Sequence, residues 1–245
     1  MARNGLNHEW GSRPRMVTLV RSRLGLQQGL ISAFASTFML TGCATSGSIG
    51  TSSVGQLHNN GVEYVLTRLE ADSSGEGTPS RIATLTGEYC RTIGRTCTAP
   101  IAVPSLPPST DQIITAAGGT SAFRERLRSL FVNISGARTL QQFDRAITAY
   151  DTPAAALNNQ ERRRLADIVL VTRFSGRYWA PTAEGGMGGG TRPGGGGVGP
   201  AARTNWVLVA AADGAGCAWG GPLHCLQGAI MFSVAEYKRQ QIGTS

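Results

Sequence analysis

The sequence predicts an α+β fold, an antiparallel sheet built from an N-terminal and a C-terminal strand pair with a central helical section. Three observations lead there. Runs rich in β-branched and aromatic residues come in pairs near both ends of the folded part. Helix caps and stripes of apolar residues at helical spacing cluster between them. The order strands, helices, strands is the α+β pattern. The 245 residues are 41% hydrophobic and 16% charged, which suits one domain of ordinary size and is too apolar for a disordered chain.

The folded part is placed at 61–245. Residues 62–71 (VEYVLTRLEA) and 81–90 (RIATLTGEYC) read as the first antiparallel pair, joined by the turn-rich DSSGEGTPS. In the second run Ile82, Thr84 and Thr86 alternate with Ala83 and Leu85. Pro100, Pro104, Pro107 and Pro108 then interrupt regular structure. Ser109 to Asp111 start a short helix that stops at Gly118 and Gly119. Ser121 caps a second helix, with Phe123, Leu127, Leu130 and Phe131 on one stripe. Thr139 and Gln142 form a capping box for a third, lined by Leu140, Phe143, Ile147 and Tyr150 and closed by Pro153. Asn158 and Glu161 mark a fourth start, with Leu165, Ile168, Val169 and Thr172 inward, although DIVLVTRF reads equally as a strand. Residues 184–200 (EGGMGGGTRPGGGGVGP) have too little apolar area to offset chain entropy and read as a loop. They lack the Gly-Lys-Ser/Thr of a phosphate-binding loop. Residues 204–213 (TNWVLVAAAD) and 227–239 (QGAIMFSVAEYKR) read as a final hairpin of buried strands.

The first 28 residues hold five arginines against the single acid Glu9, and a 12-residue apolar run, GLISAFASTFML, follows. That run is well short of the ~20 residues of a membrane-spanning helix. It ends in Leu40-Thr41-Gly42-Cys43. A basic segment, a short apolar segment and this tetrapeptide together resemble the signal of bacterial lipoprotein precursors. The small residues fit an extended backbone into a signal peptidase, and Cys43 supplies the thiol that takes the diacylglyceryl group. The resemblance covers residues 1–43 and implies export, cleavage before Cys43 and a stable multi-chain lipid anchor. Met16 offers an alternative start that leaves a conventional basic segment. Ala44 in place of Asp implies, by the enterobacterial sorting pattern, the outer membrane. Residues 44–60 (ATSGSIGTSSVGQLHNN) read as an uncharged tether with a reach of about 20–25 Å.

Removing residues 1–42 leaves 18 basic and 14 acidic residues, so the net charge falls from +8 to +4. That value gives no support for nucleic-acid binding. With Cys43 lipidated, Cys90, Cys97, Cys217 and Cys225 remain, an even number in an oxidising compartment. Local pairing, Cys90–Cys97 and Cys217–Cys225, closes short loops worth about 2–3 kcal/mol each. Zinc on Cys217, His224 and Cys225 is the weaker alternative, because the usual Cys-x-x-Cys pairs are missing.

Catalytic chemistry has little to draw on. Of three histidines, His8 leaves with the signal, His58 falls in the tether, and His224 alone lies in the folded part, with Asp213 as the available orienting acid. No Gly-x-Ser-x-Gly elbow occurs there. The carboxylates Glu63, Glu70, Asp72, Glu76 and Glu88 read as solubilising surface groups. The runs Arg124-Arg126-Arg128 and Arg162-Arg163-Arg164 read as solvated helix faces or anion sites. Arg177, Tyr178 and Trp179, beside the glycine-rich loop, form a candidate contact patch. The expectation is a non-enzymatic outer-membrane lipoprotein, facing the periplasm, with no cofactor and no metal, partnered by the membrane and by envelope proteins. A lipoprotein that binds a peptide, glycan or anionic small molecule is the alternative, and a periplasmic hydrolase the third.

Overall fold

Apolar residues at spacings of three and four dominate the described chain. The computed structural model describes residues 52–72, 77–97, 108–152, 154–189 and 204–242. Residues 1–51, which include Cys43 and the segment that resembles a lipoprotein signal, lie outside them. The described residues form seven α-helices and one 3₁₀ turn and contain no strand. The α+β expectation is therefore wrong, and the reason is visible in the runs taken for strands. Val62, Val65, Leu66 and Leu69 form a buried stripe on α1 (Val54–Ala71). Ile82, Leu85, Thr86 and Tyr89 do the same on α2 (Pro79–Thr92). Both stripes have period 3.6, and burying them together outweighs the modest β preference of their valines, threonines and tyrosines. Start signals are present too. Ser53 and Gln56 make a complete capping box for α1, and Thr78 caps α2 with Pro79 in its first turn. Because α1 begins at Val54, residues 54–60 belong to the packed domain and not to a tether.

The central section is helical as expected. Ser109 and Gln112 box the start of α3 (Thr110–Ala117), and Gly118 ends it at φ +64°, a left-handed conformation that suits glycine. Thr120, one residue before the expected Ser121, caps α4 (Ser121–Ser135). Thr139 caps α5 (Leu140–Thr148), though the Gln142 side chain accepts from Arg138 N at 2.8 Å and so closes the box one residue early. Asn158 and Glu161 box α6 (Asn159–Trp179), which includes the stretch DIVLVTRF. A 3₁₀ turn (Thr182–Glu184) follows.

The last element, α7 (Trp206–Ile242), bends back on itself at Gly221, Pro222 and His224. Residues 204 and 205 meet 240 and 241 through Asn205 N to Gln240 Oε1 (2.7 Å) and Gln241 Nε2 to Thr204 Oγ1 (3.5 Å). The two arms are therefore an antiparallel helical hairpin. The expected hairpin of strands at 204–213 and 227–239 is wrong: the chain does reverse between these segments, but both arms are helices. Both arms are apolar on nearly every side because both are buried, so neither shows a period.

This hairpin packs on α6, and α1, α2, α3 and α4 close around it. Helices α1 and α6 run parallel, as two links show. Asn59 Nδ2 donates to Phe174 O at 3.1 Å, and four residues on Tyr178 OH donates to Glu63 Oε2 at 2.6 Å. One apolar core runs from Val62 on α1 to Tyr237 on α7. Each fully buried Leu, Ile or Phe in it contributes about 1.5–3 kcal/mol of transfer free energy.

Candidate functional site

The centre of the bundle is polar. On α1 the buried stripe continues backward through His58, which is 0% exposed. Its Nε2 lies 3.4 Å from Oδ2 of Asp213, on the first arm of α7, which is equally buried. Ser175 on α6 donates to the same Asp213 oxygen. Ser233 on the second arm accepts from Trp179 Nε1 at 3.2 Å, and both groups hydrogen-bond toward the Asp213 carboxyl. His58 Nδ1 meets Asn59 Oδ1 at 3.0 Å. Three helices thus place a serine hydroxyl, an imidazole and a carboxyl together.

Burial sets their protonation. It pushes the His58 imidazole down to about 4, with the Asn59 and Ala229 hydrogen bonds opposing. It pushes Asp213 well above the usual carboxylate range, against the hydrogen bonds of Ser175, Ser233 and Trp179. Burial thus favours the neutral form of both groups. Sequence reading paired Asp213 with His224 and left His58 in the tether. The missed signal was the spacing of Gly55, His58, Val62 and Val65, one helical stripe that passes through the histidine.

The candidate contact patch divides. Arg177 is exposed and reaches Asp144 at 3.4 Å. Trp179 is core, its ring 4.9 Å from Tyr237 and 5.0 Å from Tyr178. Tyr178 is buried with its hydroxyl on Glu63. Two of the three residues are thus unavailable to a ligand, because packing takes both rings. The start of the glycine-rich run is also built in. Met187 N donates to Arg177 O (2.8 Å) and Gly188 N to Ala180 O (2.9 Å), which satisfies carbonyls at the end of α6. A Cβ on Gly189 would stand 2.6 Å from the Tyr178 ring, so the chain there needs glycine for close approach. Residues 190–203 lie outside the described ones.

The arginine runs serve loop carbonyls. Arg124 reaches Gly119 O (2.6 Å), Arg126 reaches Ala149 O (2.7 Å), Arg162 reaches Leu157 O (2.8 Å) and Arg164 reaches Ala117 O (2.8 Å). These are orphan acceptors at helix ends and turns, and a guanidinium satisfies them while its stem packs. Arg126 and Arg164 also stack over Tyr150 and Phe123.

Both cysteine pairs close locally, Cys90 with Cys97 and Cys217 with Cys225. The second takes both thiolates that zinc would need, and it clamps the bend of α7. Among the described residues no group of three or more His, Cys, Asp or Glu side chains is placed to hold a metal ion, and no helix is long and apolar enough to cross a membrane.

Two depressions stand out among the described residues. One, of about 690 Å³, is open and lined by α5 from Leu140 to Ala149, with Glu184 accepting from Leu140 N at 2.9 Å on its edge. The other, of about 230 Å³, is more enclosed. It lies between the start of α1, the Cys97 loop, α6 and the bend of α7. Comparison with known protein families, curated proteins and solved structures finds no match.

Proposed function

We propose that the chain is a non-enzymatic, lipid-anchored protein of the bacterial outer membrane, an accessory or structural subunit of an envelope assembly. The observation that carries this reading is the use made of the reactive side chains. Ser175, His58 and Asp213, the residue types a hydrolase would need, are each 0% exposed in the core, with Ser175 hydrogen-bonded to Asp213 rather than to the imidazole and His58 Nε2 3.4 Å from the same carboxyl. A nucleophile must reach its substrate, and here packing uses all three. Two disulfides fasten the bundle, as suits a domain working outside the reducing cytoplasm. The tetrapeptide ending in Cys43 supports the anchor.

Mass spectrometry of the native membrane-extracted chain tests the anchor, with acyl groups expected on Cys43. Size analysis of the same extract after chemical crosslinking tests the assembly, with a species of fixed composition expected. A monomer throughout, together with ester, peptide or glycan hydrolysis abolished by Ser175→Ala, would overturn the proposal. The open depression along α5, with Arg177 and Asp144 beside it, favours a second reading as a ligand-binding lipoprotein.

A further inference from the structure

We infer that the 230 Å³ cavity between the two disulfides is a site for the zwitterionic headgroup of a membrane phospholipid, and that this face of the bundle lies on the bilayer that carries the anchor. The inference rests on the proposed lipidation of Cys43.

Size comes first. The cavity is smaller than the roughly 300–1,000 Å³ of sites for drug-sized ligands, so it suits a short polar group. Charge comes second. Arg95 from the Cys90–Cys97 loop and Asp167 from α6 face it from different elements. They attract one another without forming a direct ion pair. A phosphate fits the guanidinium and an ammonium fits the carboxylate, whereas a group with one charge satisfies one wall only. Burial raises Asp167 above its ordinary value, with Arg95 opposing, so its ionised form gains from a cation brought beside it.

The rim gives the direction of approach. Pro222 and Leu223, at the tip of the α7 hairpin, border the cavity, and Leu223 is 85% exposed. An exposed leucine beside a charged headgroup cavity has its natural place at the headgroup–acyl boundary. The tether agrees. Val54 also lines the cavity, and its helix cap Ser53 is ten residues from Cys43. Ten residues reach at most about 35 Å even fully extended. The anchor therefore keeps this end of the molecule near the lipid.

The test uses the oxidised mature chain, residues 43–245, carrying Cys43→Ser, so that no acyl chain contributes. It is sedimented with vesicles of phosphatidylcholine and phosphatidylethanolamine, and separately with phosphatidylglycerol vesicles. Binding to the zwitterionic vesicles is expected. It should weaken about tenfold or more in Arg95→Gln and in Asp167→Asn, since each removes a hydrogen bond to a charged group, and also in Leu223→Ser. Asp167 is only partly desolvated and neither residue belongs to the buried core, so the variants should keep the parent melting temperature. No binding to zwitterionic vesicles overturns the inference. So does binding to phosphatidylglycerol alone, which is attraction to surface charge. Soluble phosphoethanolamine bound in the cavity without vesicle binding overturns the membrane docking and points to a free metabolite. Acyl groups found on Cys43 of the native chain, with vesicles ignored by the Cys43→Ser chain, would remove this site and leave the anchor standing.

Discussion

His58 and Asp213 meet at 3.4 Å with no exposed surface on either, and this contact makes a prediction that does not depend on which of them holds the proton. Between pH 4 and 6.5 the unfolded chain carries a protonated His58 and an ionised Asp213, one proton in all. In the folded pair His58 is pushed down to about 4 and Asp213 is pushed well up, so the proton the imidazole gives up is offset by the one the carboxyl keeps. Opposed shifts offset each other, so stability changes less with pH than either group alone would require. Asp213→Asn breaks the balance. The folded variant then holds no proton there, while unfolded His58 still takes one below its ordinary value. Stability should fall with acid by up to about 1.4 kcal/mol per pH unit, lost from 6.5 downward and level again below about 4. Urea unfolding of parent and variant from pH 4.5 to 7 is the measurement, and parallel curves would refute the buried pairing. At pH 7 Asn keeps the shape of a neutral acid without the cost of protonating it, so Asp213→Asn should hold or raise stability, while Asp213→Ala should fall about 2–4 kcal/mol below the Asn variant through cavity and unmet hydroxyls. The three consecutive arginines make a second comparison at this scale. Arg164→Ala loses the bond to Ala117 O and the stack on Phe123 and should cost about 1–2 kcal/mol. Arg163→Ala, on the exposed side, should stay within about 0.5 kcal/mol by thermal unfolding.

Among the elements, the α7 hairpin depends on two glycines. A Cβ on Gly216 would stand 2.3 Å from Gly228 O, and one on Gly228 would stand 2.1 Å from Gly216 O. The two arms cross backbone to backbone, and no side chain can yield there. Gly216→Ala and Gly228→Ala should each cost about 1–3 kcal/mol by forcing the arms apart. Gly87→Ala in α2, where a Cβ meets nothing within 4 Å, should stabilise by about 0.5–1 kcal/mol. Opposite signs in denaturant midpoints check the argument, and a neutral Gly216→Ala would show that the arms do not touch. These glycines also explain what the sequence could and could not tell. Helices α3 to α6 were legible because their caps are polar and their apolar faces narrow. The α7 arms were not, because Gly, Ala and Val on every side carry no period and imitate a buried strand. In α1 and α2 the period is present in Val62–Val65–Leu69 and Ile82–Leu85–Tyr89, but the β-branched and aromatic residues between them favour a strand locally. Of the polar centre, Asp213 stands out as an acid in an apolar run, whereas His58 sits in a polar stretch that reads as a tether. Long-range pairing, Ser175 and Ser233 included, has no mark in a local window.

At the scale of the molecule, the two disulfides divide the labour of holding the bundle. Both close loops of similar length, Cys90–Cys97 over a separation of 7 and Cys217–Cys225 over 8, so chain entropy assigns them similar contributions of about 2–3 kcal/mol. What they constrain differs. Cys90–Cys97 fixes the end of α2 and the loop carrying Arg95, at the edge of the bundle. Cys217–Cys225 fixes the bend on which both arms of α7 depend, and α7 touches α1, α2, α3, α4 and α6. Removing the first bridge should lower global stability and leave the unfolding cooperative. Removing the second should do the same and also loosen the hairpin locally, because Gly220 and Gly221 beside the bend resist no change of angle. The comparison is Cys90→Ala/Cys97→Ala against Cys217→Ala/Cys225→Ala. Denaturant unfolding should give similar midpoints for the two variants. Amide hydrogen exchange should show faster opening of residues 214–228 in the second variant only. Fast exchange spread over the whole chain in both variants would mean that the bundle has no locally separable hairpin and that each bridge acts through the unfolded chain alone.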